Sequence, residues 1–316
     1  MQDTFWTPHG HSLRVPLIGA PMFLVSGPAL VIAQCRAGIA GTMPALGART
    51  SEILDGWLDE ITTALSAPGG PQAAPYGLNL IVHSSNTQLP AHLDLCVKHR
   101  VPLVITSLGS RPEVNEAVRS YGGIVLHDVT NAEHARKALD RGAHGLIAVA
   151  AGAGGHAGAI SPIALIETLR EFWDGPLALS GAIATGRGLL AAQSLGADLG
   201  YSGTLFIPAA ESLASDAYRD MVIASDSSDI VYTDRVSGTN ANFLRQSLMA
   251  NGIAFDGAPP THKPGMLDEA KAWRDIWSAG HGVAQVHQRS TVMQIVDRLE
   301  REYRAALTRI AALSEG

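Results

Sequence analysis

Short apolar runs alternate with amphipathic or alanine-rich segments through the first two thirds of the chain. The segments, which include 51–65, 131–140 and 188–195, carry apolar residues at helical spacing. The runs are short and largely apolar, as in parallel strands that are covered on both faces. They are residues 15–20, 39–43, 76–81, 103–106, 123–127, 145–149, 177–180 and 198–201. The pattern therefore predicts eight strands that alternate with helices.

Glycine marks the junction between a helical segment and the next strand. This holds for Gly38, Gly122, Gly142 and Gly196. A glycine in the left-handed conformation is a common end to a helix. Eight strand-helix units of roughly 25 residues fit a closed (β/α)₈ barrel, the α/β fold called the TIM barrel.

The competing fold is an open, doubly wound sheet. That fold would carry a glycine-rich dinucleotide fingerprint directly after its first strand. Ala20, Pro21, Met22 and Phe23 stand there instead. Because proline and two bulky side chains cannot form the fingerprint turn, the closed barrel is favoured.

After about residue 207 the pattern loosens. Residues 210–224 and 240–251 read as helices, 229–233 as an extended stretch and 257–265 as a loop. Thr291 and Gln294 then form a capping-box pattern that opens a long helix. Its apolar positions recur at helical spacing, so they pack either on the barrel or on the second subunit of a homodimer; they are Val292, Ile295, Leu299, Tyr303 and Leu307.

Two structural units follow from this division. Residues 1–208 together with 290–316 are expected to form the barrel. Residues 209–289 are expected to form a smaller, mainly helical segment on the substrate side, at the C-terminal end of the chain.

Composition excludes several classes of partner. The chain has 316 residues, 46% of them hydrophobic, and a net charge of −6. This balance gives no electrostatic footprint for nucleic acid or for an anionic membrane. The first residues lack the pattern of a signal peptide, and no apolar run is long enough to span a bilayer. We expect a cytoplasmic protein in which Cys35 and Cys96 are buried thiols.

His156 is the strongest candidate for a catalytic residue. It lies between Gly154-Gly155 and Gly158, just after the strand predicted at 145–149. A histidine flanked by glycines gains little from packing, whereas its imidazole changes charge nearest neutral pH. The loop is also thin enough for a flat ligand to approach.

Two turns are candidates for a phosphate site. Ser180-Gly181 and Gly203-Thr204 follow the seventh and eighth predicted strands, where barrels of this kind bind phosphate. Thr185 and Arg187, at the start of the intervening helix, could add a cap and a positive charge. The alternative is two tight turns that bind nothing.

The other motifs are less informative. His127 and Asp128 are adjacent on a predicted strand and so point to opposite faces; one of them faces the barrel mouth. The remaining histidines show no metal-ligand spacing, so no metal site is expected. Neither a Gly-x-Ser-x-Gly elbow nor a P-loop is present.

Five motifs together resemble the nitronate monooxygenase family, formerly called 2-nitropropane dioxygenase. They are Pro21-Met22, Tyr76-Gly77-Leu78-Asn79-Leu80, Ala153-Gly154-Gly155-His156, Ser180-Gly181-Ala182-Ile183 and Gly203-Thr204-Leu205-Phe206. The resemblance runs from about residue 15 to 251 and returns at residues 276–280. The family also includes flavin-dependent quinone reductases and an enoyl-thioester reductase.

The resemblance implies a (β/α)₈ barrel that binds FMN without covalent attachment. It implies that His156 faces flavin and substrate and takes or stabilises a proton. The cofactor-binding residues that it implies are Pro21, Met22, Phe23, Asn79, Asp128, Gly155, Ser180, Gly181, Ala182, Gly203 and Thr204.

The sequence departs from the family pattern near the expected flavin. Gly152 replaces an acidic residue, Ala182 replaces a glycine, and Leu205 replaces a frequent arginine. Asp128 stands where some quinone-reducing relatives have lysine. Because of these changes, the resemblance to the family does not identify the exact substrate of this chain.

The leading hypothesis is an FMN-dependent enzyme that oxidises alkyl nitronates or nitroalkanes, with O₂ as co-substrate. The alternative is an NAD(P)H-dependent flavin reductase that acts on quinones or enoyl thioesters. A third hypothesis is a flavin-binding protein without catalytic activity.

Overall fold

Eight parallel strands close into a barrel in the computed structural model, which describes residues 13–66, 73–236, 238–253, 255 and 274–314. The barrel strands are β1 (Leu17–Gly19), β2 (Ala40–Pro44), β3 (Tyr76–Ile81), β4 (Leu103–Ser107), β5 (Ile124–Val129), β6 (Gly145–Val149), β8 (Leu177–Ser180) and β9 (Leu199–Ser202). Strand β9 pairs in parallel with β1 and so closes the ring. The predicted (β/α)₈ barrel is confirmed.

A helix follows each barrel strand from β1 to β8 on the outside of the ring. These helices are α1 (Pro28–Arg36), α2 (Ser51–Leu65), α3 (Leu89–Lys98), α4 (Pro112–Ser120), α5 (Ala132–Asp140), α6 (Pro162–Arg170) and α7 (Gly186–Leu195). Thr50, Asn131, Ser161 and Thr185 each cap a helix by accepting a backbone N–H in its first turn. Such short polar side chains satisfy N–H groups that have no partner inside the helix.

The predicted glycine junctions are also present. Gly38, Gly122, Gly142 and Gly196 all have a positive φ, between 85° and 111°. Side chains other than glycine rarely adopt this conformation. Each glycine therefore ends its helix and turns the chain into the next strand.

Alternation along the strands fixes what lies inside the barrel. Ile105, Leu126, Ile147 and Tyr201 belong to one buried cluster that fills the interior. Val104 and Val125, one position away, belong to a second cluster between the strands and the helices. Polar residues at interior positions near the carboxyl ends of the strands are thereby directed towards the barrel mouth.

A second, three-stranded antiparallel sheet covers the barrel mouth. It consists of β7 (Gly155–His156), β10 (Ile230–Thr233) and β11 (Ala241–Leu244), in the order β10-β11-β7. The extended stretch predicted at 229–233 is thus confirmed as β10.

The helix predicted over 240–251 is wrong in its first half. Strand β11 occupies residues 241–244, and the helix α9 (Arg245–Ala250) begins only afterwards. Phe243 and Ala241 pack with Leu248 and Ile276 in a small core of their own. Pairing with β10 and this packing override the local helical pattern.

The helix predicted over 210–224 begins later than expected. Helix α8 (Asp216–Ala224) is capped by Ser215, whose hydroxyl accepts the backbone N–H of Tyr218 at 3.2 Å. Ser212 turns back instead and donates to the carbonyl of Ile207 at 2.7 Å. The loop predicted at 257–265 lies outside the described residues.

The last helix, α10 (Val292–Ser314), completes the outer ring next to α7. The predicted capping box is formed: Gln294 N–H donates to the Thr291 hydroxyl, and Thr291 N–H donates to the Gln294 side chain. Val292, Ile295 and Leu299 are buried in the main core, whereas Leu307 is 42% exposed. The first half of the apolar stripe therefore packs on the barrel.

Both cysteines are buried free thiols, as predicted. Cys35 lies on α1 and Cys96 on α3. Burial raises the pKa of each thiol to about 12, which keeps both in the neutral form.

Candidate active site

A cavity of about 850 Å³ opens at the carboxyl ends of the barrel strands. Enzymes with this fold build their sites at this end. Ten of the predicted site residues line the cavity: Pro21, Met22, Phe23, Asn79, Asp128, Gly155, His156, Ser180, Gly203 and Thr204.

The remaining two, Gly181 and Ala182, line a small adjoining cavity. Ser180, Gly203 and Thr204 line both spaces. The structure therefore brings the whole predicted set together around one continuous surface.

The small cavity has the features of an anion cradle. Gly181 has a φ of +139°, and Ala182 adopts the left-handed conformation at +56°. Gly203 starts the short helical turn Thr204–Phe206, whose first N–H groups have no partner inside the turn. A Cβ on Gly203 would lie 3.0 Å from the sulfur of Met22, so a side chain at this position would press against Met22, which lines the main cavity.

One part of the predicted phosphate site is wrong. The N-terminus of α7 is already occupied: the Thr185 hydroxyl accepts Gly188 N–H at 3.0 Å, and Glu302 of α10 accepts Gly186 N–H at 2.8 Å. Arg187 is exposed and lines neither cavity. Thr185 is the predicted cap, but this helix end and Arg187 add nothing to the cradle.

Sequence reasoning missed the segment that closes the cradle from the other side. Gly280 N–H donates to the Thr204 hydroxyl at 3.0 Å, and His281 N–H donates to the carbonyl of Gly152 at 2.9 Å. A Cβ on Gly154 would lie 2.9 Å from the nitrogen of Gly280, so the two backbones meet at glycines. The paired Gly280 and Gly282, both of which line the small cavity, were the available signal.

His156 is held in β7 rather than on a free loop. The strand pairs with β11, with His156 opposite Ala241. Beside it, Gly155 N–H donates to the Ser278 hydroxyl at 2.6 Å. Burial lowers the pKa of His156 below its usual value, so the imidazole is neutral at neutral pH.

A chain of three polar side chains crosses the cavity floor. The Asn79 amide donates to the Ser107 hydroxyl at 2.8 Å, and Ser107 donates to Oδ2 of Asp128 at 2.5 Å. Oδ1 of Asp128 is buried and has no hydrogen-bond partner among the described residues. Burial raises the pKa of Asp128 to about 6, although the Ser107 hydrogen bond opposes the shift.

The structure decides between His127 and Asp128. Asp128 shares the strand face of Leu126, inside the barrel, whereas His127 lies one position away on the other face. His127 bonds to the Thr106 hydroxyl through Nδ1 at 2.6 Å, and burial lowers its pKa to about 4. Asp128 is thus the residue that is directed into the barrel interior, and His127, on the other face of the strand, borders the cavity as well.

One wall of the cavity comes from α8 and the segment after residue 275. Tyr218 stacks on Trp277 with ring centroids 5.0 Å apart. The Tyr218 hydroxyl donates to the carbonyl of Ser278 at 2.5 Å. The Asn242 amide donates to the carbonyl of Ala153 at 2.6 Å and so fixes the loop that leads to His156.

Two features are absent from the part of the chain that the structure describes. No group of three or more His, Cys, Asp or Glu side chains is placed to hold a metal ion. Within the same residues, no helix combines the length and apolar character that crossing a membrane requires.

The fold and the site define a (β/α)₈-barrel protein whose main cavity, lined by His156 and Asp128, lies at the carboxyl ends of its strands beside a small glycine-rich cavity. The model of one protein family, described as nitronate monooxygenase, matches residues 9–302. The chain belongs to this family of flavin-dependent oxidoreductases, and it is an enzyme.

Curated relatives carry more than one activity in their names. A nitronate monooxygenase of Pseudomonas aeruginosa is 28% identical over 82% of this chain and 85% of its own length. A hydroxy-methyl-oxo-octahydro-indene-carboxyl-CoA dehydrogenase of Rhodococcus jostii is 26% identical over 77% of this chain. The match spans only 65% of that relative's length.

Two solved structures share the fold. FabK from Thermotoga maritima has a TM-score of 0.81 and 21% identity, and 95% of this chain and 96% of that chain are covered. Nitroalkane oxidase from Streptomyces ansochromogenes has a TM-score of 0.79 and 23% identity. The match covers 94% of this chain and 97% of that chain.

Proposed function

We propose that this enzyme uses FMN to oxidise alkyl nitronates, or the parent nitroalkanes, with O₂ as co-substrate. The observation that carries the proposal is that the cradle and His156 border one continuous space. The main cavity, about 850 Å³, lies in the range of roughly 300–1,000 Å³ typical of ligand sites.

The residues present fit FMN. The cradle is bordered by Gly181 and Gly203, which carry no side chains, and the φ of +139° at Gly181 favours glycine, so both turns present bare backbone to a phosphate group in this proposal. Ser180, Ala182 and Thr204 complete the phosphate site in this proposal. Pro21, Met22, Phe23, Asn79, Asp128 and Gly155 would hold the ring system. FMN, when bound, supplies the capacity to accept two electrons and to react with O₂.

His156 would handle the proton in this reaction. With its pKa lowered by burial, the imidazole is neutral at physiological pH and able to accept a proton. It would remove the α-proton of a neutral nitroalkane. A nitronate has already lost that proton, so towards a nitronate His156 would bind and orient.

The names of the relatives support both leading candidates. The P. aeruginosa relative is named for nitronates. The R. jostii relative is named as a dehydrogenase of a CoA thioester, which favours as the second candidate an NAD(P)H-dependent reductase of enoyl thioesters or quinones.

Anaerobic mixing of the flavin-loaded enzyme separates the two. The proposal expects a nitronate to bleach the flavin absorbance in the absence of O₂, and admission of O₂ to restore it. If NADH or NADPH bleaches the flavin and a nitronate does not, the second candidate replaces the first.

A further inference from the structure

The main cavity has a polar branch that the proposed reaction does not use. It runs between the loop after β4 and the first turns of α5. The branch is lined by Ser110, Thr130, Asn131, His134 and Lys137, and we call it the α5 groove. It is separate from the glycine cradle, none of whose lining residues it contains.

An imidazole, an ammonium group and a guanidinium group lie along one side of the groove. His134 and Lys137 are three residues apart on α5, and Arg141 follows four residues later, directly after the helix, so the three residues lie on the same side of it. Arg141 donates to the carbonyl of Ser110 and so places this face beside the loop after β4. Lys137 is exposed and makes no ion pair with any described residue.

The direction of the helix brings these groups towards the cavity. Asn131 caps α5 by accepting His134 N–H at 2.8 Å, and Asn131 itself lines the cavity. Side chains on a helix lean towards its N-terminus, so Lys137 and His134 lean towards the same opening. The acidic residues of α5, Glu133 and Asp140, do not line the cavity.

A buried hydroxyl gives an independent indication of a ligand. Ser110 is only 7% exposed, and its Oγ has no hydrogen-bond partner among the residues that the structure describes. A buried polar atom without a partner costs free energy unless a ligand or water satisfies it. Ser110 lines the groove in which His134 and Lys137 lie.

We propose that the α5 groove binds the phosphate group of a second ligand, distinct from the phosphate-free nitronate, that enters the main cavity. An ammonium group, an imidazole and a hydroxyl together suit a phosphate, which accepts several charge-assisted hydrogen bonds. Two sources share this chemistry: a pyridine nucleotide and a thioester that carries a phosphate-bearing carrier such as CoA. The proposal rests on the proposed function in one respect, the assignment of the glycine cradle to the cofactor.

Direct binding tests the groove on the flavin-loaded protein. Calorimetric titrations would use NADPH, NADH and crotonyl-CoA, with wild type, Lys137→Glu and Ser110→Ala. The proposal expects wild type to bind at least one of the three, and Lys137→Glu to raise its Kd by roughly tenfold or more, as for loss of a charge-assisted hydrogen bond. Ser110→Ala should raise the same Kd by a smaller factor.

Arg309→Glu is the matched control. It makes the same change in net charge at an exposed position on α10, away from the cavity. It should leave each Kd within about twofold, since surface charges beyond a Debye length are largely screened. The flavin content of every variant confirms that the cofactor site is intact.

The titrations also identify the source of the phosphate. A Kd that rises only for the nucleotides assigns the groove to the reductant, and one that rises only for crotonyl-CoA assigns it to a thioester substrate. Equal affinities of wild type and Lys137→Glu, or no binding of any of the three ligands to wild type, would overturn the proposal. Because binding is measured without turnover, failure of nitronate oxidation alone would count against the proposed function and not against the groove.

Discussion

The carboxylate of Glu302 accepts a hydrogen bond from the backbone N–H of Gly186 at 2.8 Å, across 116 residues of sequence. A negative charge at a helix N-terminus is stabilised by the partial positive charge of the unpaired N–H groups there. A Cβ on Gly186 would overlap the backbone of Tyr303, so the two helices touch backbone to backbone. This contact docks α10 onto the barrel beside the cradle.

Replacement of Glu302 should therefore destabilise the protein. We expect Glu302→Ala to lower the free energy of unfolding by about 1–2 kcal/mol, because the Gly186 N–H loses its charged acceptor. Urea denaturation measures the change. Glu302→Gln keeps an acceptor without the charge and should lose less; a Glu302→Ala midpoint equal to that of wild type would show that the contact contributes nothing.

His156→Ala should reduce turnover of a neutral nitroalkane by roughly 10²–10⁴, the usual contribution of a positioned acid-base group. Steady-state kinetics measure the loss, and the flavin absorbance of the purified variant shows that the cofactor stays bound. His156→Gln retains hydrogen bonding but cannot take the proton, so it should be as slow as the alanine variant. Undiminished turnover in either variant would remove His156 from the mechanism.

The dependence of turnover on pH provides a separate test of His156. Burial lowers the pKa of this imidazole, so the neutral form persists below its ordinary pKa of about 6.5. The acid limb of kcat/KM for a neutral nitroalkane should lie below that value. The limb should be absent from the His156→Gln profile, and a limb above pH 6.5 in wild type contradicts the prediction.

Asp128 should make the protein without bound ligand less stable as pH rises. Its pKa is about 6 in the folded state and near 3.8 when unfolded, so the folded state binds more protons between these values. The stabilising contribution of the protonated Asp128 carboxyl group is therefore fully present below about pH 4 and is lost as the pH rises through about 6. Asp128→Asn removes the cost of the buried charge.

We accordingly expect Asp128→Asn to gain roughly 1–3 kcal/mol over wild type at pH 8 and little at pH 4. The amide oxygen of asparagine can still accept the Ser107 hydrogen bond. Urea denaturation at both pH values measures the difference. A gain of equal size at both would show that the carboxyl does not titrate in this range.

Ala182 occupies a backbone conformation that suits glycine. Its φ of +56° is left-handed, where a Cβ costs roughly 1–2 kcal/mol, whereas glycine loses more entropy on folding. Ala182→Gly should therefore raise the free energy of unfolding by about 0.5–1 kcal/mol, as measured by urea denaturation. Ala184→Gly, on the same segment without positive φ, is the control and should destabilise.

The barrel could be predicted from the sequence because its signals are local. Apolar runs bounded by glycine gave the strands: those at 76–81, 145–149 and 177–180 match β3, β6 and β8 residue for residue. The candidate residues at the ends of those strands were found because the fold directs them to one place. Ser180 and Gly203 meet around one cradle because β8 and β9, which carry them at their carboxyl ends, are neighbouring strands.

The remaining features depend on contacts between distant parts of the chain. Strand β7 has two residues, one of them glycine, and shows no alternation that a sequence pattern could detect. Gly155 meets Ser278 across 123 residues, and nothing local to either position indicates the contact. The hydrogen bond from Gly186 N–H to Glu302, which occupies the N-terminus of α7, likewise joins residues that lie 116 positions apart in the sequence.

Strand β11 and Ser278 hold β7 in place, and both follow the last barrel strand in the chain. Every barrel strand therefore leaves the ribosome before the segments that hold the imidazole. The same later stretch of chain supplies α10, whose Val292 and Leu299 are buried in the main core, so a chain cut after β9 would lack both the support of His156 and part of the packing around the barrel. The order of translation thus places the ring of strands first and the working histidine later.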